Sequence, residues 1–103
     1  MIPHPPRPVR RVSPRELREI FNGGRYYERV CANELIASVE VSRAAPPAAG
    51  QPPGTMSETV AYFDLAFNRV ALVHQYRLPD GTLGASGRPD PKRLLLDGEI
   101  LIC

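Results

Sequence analysis

The chain has 103 residues, with 13 basic and 11 acidic side chains, 12 prolines, 8 glycines, 2 cysteines and no tryptophan. That length allows one compact domain and no more. An apolar share of 43% with 23% charged residues excludes wholesale disorder, and apolar runs of at most four residues (Val70–Val73, Ile100–Cys103) exclude a membrane-spanning helix.

Residues 1–8, Met-Ile-Pro-His-Pro-Pro-Arg-Pro, lack the apolar stretch of a secretory signal, so a cytoplasmic protein is expected. Residues 1–29 hold seven Arg and three Glu, a net +4, while the rest of the chain is at −2. Residues 1–12 read as an extended Arg/Pro-rich arm with little to bury, followed by a single domain over 13–103. Ser13-Pro14-Arg15-Glu16 is a helix start: a capping hydroxyl, proline at the first helical position, and an acid three residues after the cap. Leu17, Ile20 and Phe21 form its apolar stripe, and Asn22-Gly23-Gly24 ends it. Residues 25–32 suit either a strand or a second short helix.

From Asn33 the pattern has period two, with Leu35, Ala37, Val39 and Val41 on one face of a half-exposed antiparallel strand. A flexible Pro/Ala/Gly loop is expected at 44–57. Strand patterning resumes at Glu58 and places Ala61, Phe63, Leu65 and Phe67 together, with a tight turn at Asn68-Arg69. The next strand puts Val70, Leu72, His74, Tyr76 and Leu78 opposite Ala71, Val73, Gln75 and Arg77. Turn chemistry fills 79–91, and Asp97-Gly98 makes a hairpin of the last segment. The expected fold is α+β, one N-terminal helix packed on an antiparallel sheet of about four to five strands.

Three functions compete. A small nucleic-acid-associated module would bind RNA or DNA through the basic arm and Arg25, Arg29, Arg88, Lys92 and Arg93, with Tyr26 and Tyr27 interleaved among the charges. In size and helix-then-sheet layout the chain also resembles small bacterial ribonuclease toxins, although none of their motifs is matched. That resemblance implies metal-independent cleavage, for which His74, Tyr76, Arg88 and Lys92 are this chain's candidates. The third function is an inhibitor or interaction module docking a protein partner, or a second copy, through a sheet edge.

The loop Gly84-Ala85-Ser86-Gly87 beside Arg88 and Lys92 is small enough to approach an anion, but matches neither phosphate-loop glycine pattern. Cys31 and Cys103 read as small apolar residues. His4 and His74 have no partners at ligand spacing, so no metal and no cofactor is expected.

Overall fold

Ser13 caps a helix as its spacing predicts. In a computed structural model, which describes residues 7–103, Ser13 Oγ accepts the Glu16 N–H at 3.0 Å, and Pro14 opens α1 (Pro14–Gly23). Removing that acceptor leaves the N–H unpaired within the protein. Ser13→Ala is therefore expected to cost about 1 kcal/mol, read as a lower urea midpoint at unchanged slope.

Gly24 follows α1 because of a close approach: a Cβ there would sit 2.5 Å from the Tyr26 ring. The left-handed residue of the turn is Arg25, at φ +55°. This turn starts α2 (Tyr26–Cys31), so the ambiguous segment is a helix and the expectation of a single helix is corrected. Tyr26 stacks on Phe21 with ring centres 5.5 Å apart, while Tyr27 stays half-buried.

Six strands follow the order β1-β6-β5-β4-β3-β2 in one mixed sheet, one strand more than the upper expectation and not wholly antiparallel. The addition is β1 (Val9–Arg11), taken from the arm, which runs parallel to β6 (Glu99–Ile102). Its ladder continues at both ends, where Ile100 donates to the Pro8 carbonyl and Val12 to that of Ile102, each at 2.8 Å. Three residues are too few for a period to show in sequence. The hairpin of β5 (Asp90–Leu96) with β6 turns at Asp97-Gly98 as expected, both at positive φ (50° and 78°).

Bulges rearrange the other strands. In β2 (Ile36–Ala44) the register shifts between Val39 and Val41, so Ala37 and Val39 face the helices while Ile36, Ser38, Val41 and Arg43 face away. The uniform face expected for Leu35 to Val41 is thus broken. The loop expected at 44–57 loses its ends: Ala44 pairs with Met56, and β3 (Met56–Phe63) begins earlier than Glu58. Leu65 and Phe67 are exposed in the connection after β3, not on the strand. There the Asp64 carboxylate accepts the Ala66 and Asn68 N–H groups at 2.9 Å, and these bonds hold its pKa below the usual aspartate value. A second bulge at the start of β4 (Arg69–Arg77) lets Val70 pack on the core instead of lying beside Leu72.

The core lies between the helices and one face of the sheet. Leu17, Phe21 and Tyr26 meet Leu35, Val60, Tyr62, Ala71, Val73, Leu94 and Leu101. Both cysteines are exposed and unbridged instead of packed inside. No described helix is long and apolar enough to cross a membrane.

Candidate functional site

Side chains alternate across a strand, so the pairing registers define the face that the core does not use. One row across that open face runs Ser38, Ala61, Leu72, Arg93, Ile102 and Arg11. Next to it lie Val41, Thr59, His74 and Asp90, then Arg43, Ser57 and Tyr76. The charges are sorted by face. On the helix side, Arg10 pairs with Glu99 and Arg77 with the buried Glu58. On the open side Arg69 pairs with Glu40 and Lys92 with Asp90, but among the described residues Arg11, Arg43 and Arg93 have no carboxylate partner.

His74 sits at the centre of the densest group. Its Nε2 shares a 2.7 Å hydrogen bond with Ser57 Oγ, and its ring meets Tyr76 edge to face at 4.8 Å. Asp90 lies opposite it on β5 and binds Lys92 Nζ at 2.8 Å. Partial burial, then the Lys92 charge, push the imidazole pKa below its usual value, against a smaller opposing effect of Asp90. His74 is thus mostly neutral at pH 7, able to accept a proton.

The same shift links His74 to stability. As pH falls below about 6.5, the unfolded chain takes up the proton before the folded one does, so stability drops with acid in that window. His74→Gln should flatten that part of the stability–pH curve, measured as urea midpoints at successive pH values.

A cavity of about 540 Å³ opens where β4 runs on beyond the start of β5. It gathers His74, Tyr76 and Lys92 with Arg18 and Asn22 of α1 and with the 84–91 turns. All four residues singled out in sequence for cleavage chemistry, His74, Tyr76, Arg88 and Lys92, therefore line one cavity, half-buried or exposed. Gln75 and Arg77 keep to the other face, where both donate to Glu58 Oε1.

The binding residues read from sequence do not form one patch. Arg88 lines the cavity, but its guanidinium pairs with Glu28 at 2.8 Å, bonds Asn22 and lies 5.5 Å over the Tyr27 ring. It clamps the 84–91 turns to the helices. Arg29 lies over Tyr26, and Arg25 starts α2, both in the helix layer. Arg93 is on the open face beside a second cavity of about 350 Å³, lined also by Arg7, Phe67, Arg69, Leu95 and Ile100.

Arg43 and Ser57 escaped the sequence reading, and Arg11 entered it only as one charge of the basic arm. Arg11 and Ser57 stood in segments taken as arm and loop, and Arg43 reaches the open face only through the β2 bulge. His4 lies outside the described residues. Among the described residues, no group of three or more His, Cys, Asp or Glu gathers as metal ligands. Compared with known protein families, curated proteins and solved structures, the chain matches none.

Proposed function

We propose that the protein binds single-stranded nucleic acid, RNA in particular, across the open face of its sheet. The carrying observation is the sorting of charge on the sheet itself: its helix-facing arginines, Arg10 and Arg77, are paired with Glu99 and Glu58, while Arg11, Arg43 and Arg93 on the open face have no ion pair among the described residues and are left for phosphates. Phosphate oxygens are the ligands such exposed guanidiniums suit, and unpaired bases need apolar or aromatic platforms. Phe63, with Arg69 5.6 Å above its ring, and the His74–Tyr76 pair supply these on the same face. The two cavities border that face, each large enough for a base, within the usual range of about 300–1,000 Å³.

Titration of a labelled single-stranded RNA at rising salt tests this. Affinity should fall linearly with salt on logarithmic axes, by about 0.7 per phosphate neutralised. Lack of binding at low salt would sink the proposal.

The exposed β2 supports a second reading. Among the described residues its outer edge is unpaired over nine residues, with Val39 and Val41 exposed, so it could take a strand from a protein partner. The bulge at Glu40 interrupts that edge, which favours the nucleic-acid reading.

A further inference from the structure

We propose that the His74 cavity cleaves bound RNA without a metal, using the neighbouring ribose hydroxyl of the substrate as nucleophile. The inference rests on the RNA-binding reading and adds chemistry to it.

The geometry assigns the parts. With Nε2–H donated to Ser57 Oγ, the other ring nitrogen, Nδ1, carries the free lone pair. Ser57 has a positioning role, since its hydrogen bond holds the ring plane. Nδ1 takes the proton of a ribose 2′-OH, the 2′-oxygen forms a bond to the adjacent phosphorus, and the bond from phosphorus to the 5′-oxygen breaks. The departing 5′-oxygen takes a proton from the Lys92 ammonium; the imidazolium then gives its proton to water and Lys92 takes one back, so the two transfers cancel. The products are a 2′,3′-cyclic phosphate and a 5′-hydroxyl end. No water is consumed and nothing is oxidised or reduced.

The surroundings meet the demands of this step. Negative charge builds on the phosphoryl oxygens in the transition state, and Lys92 and Arg18 line the same cavity as cations. Arg43 stands beside Ser57 on the open face, one strand further out, where it can hold the next phosphate. The groups facing His74 are Lys92 and Asp90 from β5, Tyr76 from its own strand, the uncharged Ser57 and Thr59 from β3, and Arg18 across the cavity. Lys92 is ion-paired to Asp90 at 2.8 Å, so Asp90 holds the ammonium in place. At the 84–87 turns of the cavity wall Gly84 is buried against the Gln51 side chain, which a Cβ there would meet at 2.5 Å, and this packing holds the wall in place.

The experiment runs two measurements on the full chain, both with a metal chelator present. Binding is read with a 2′-O-methyl RNA that cannot be cut, and cleavage with the same sequence as unmodified RNA and as DNA. The expected result is binding of the methylated RNA, cyclic-phosphate ends from the unmodified RNA, and no cutting of DNA. His74→Gln should lower the rate by about 100-fold or more, far more than it weakens binding of the methylated RNA. Lys92→Met, at an exposed position that leaves the fold intact, should slow cleavage and weaken binding only slightly. The rate should rise with pH through a value below the ordinary histidine one, and Ser57→Ala should move that value.

Binding without cleavage would overturn this inference and leave the binding reading standing. Absence of binding would overturn both. Cleavage of DNA, or full activity in His74→Gln, would show that the ribose hydroxyl or the imidazole is not used.

Discussion

Replacing Phe21 with alanine is expected to destabilise the protein by about 3 to 5 kcal/mol. The ring is fully buried, stacked on Tyr26 and tilted against Tyr62 with centres 6.2 Å apart. It joins both helices to the sheet, and the helices bring only Leu17 and Tyr26 beside it as buried residues. Little apolar mass can therefore collapse into the space left behind. A domain of this size has a total stability of about 5 to 15 kcal/mol, so the loss is a large fraction of the whole. Urea unfolding should show a midpoint lower by about 1 M or more at an unchanged slope. A shift equivalent to less than about 1 kcal/mol would mean that the helices are not seated on the sheet through this ring. The site depends on that seating, because Arg88 ties the 84–91 turns to Glu28 and Asn22 of the helices.

Features set by local chemistry were legible in the sequence. The Ser13 cap, the Asp97-Gly98 hairpin and the alternation from Leu72 to Arg77 depend on neighbours a few residues away. What the sequence could not show depends on distant partners. β1 exists because β6 offers a free edge to three residues of the arm, and α2 because Tyr26 finds the Phe21 ring. The bulges at Glu40 and Val70 add single residues that a strict period of two cannot anticipate, and each moves later side chains to the other face.

The site divides the same way. His74, Tyr76 and Lys92 were found by residue type, and the structure puts them in one cavity. Ser57, which holds the imidazole, and Arg43 became visible only with the β2–β3–β4 register. The arm was judged by its charge, and its contribution is one of placement. Val9–Arg11 are fixed in the sheet so that Arg10 turns to Glu99 and Arg11 to the open face.

That placement leads to the second large effect. Changing Arg11, Arg43 and Arg93 together to glutamine should weaken single-stranded RNA binding by roughly 10- to 100-fold at low salt and reduce the salt slope by about 2. All three are exposed and without an ion pair among the described residues, so the fold should survive. The control is the triple change of Arg10, Arg15 and Arg25, which removes the same formal charge. Arg10 faces the helices, and the other two belong to the helix layer. If binding simply followed net charge, the two triples would behave alike, since long-range attraction depends little on which surface carries the charge. If nucleic acid lies across the open face, the first triple loses direct phosphate contacts and the second loses only weak, screened attraction. Anisotropy titrations at several salt concentrations separate these cases. Equal losses in the two variants would remove the open face as the site, and with it the argument from charge sorting.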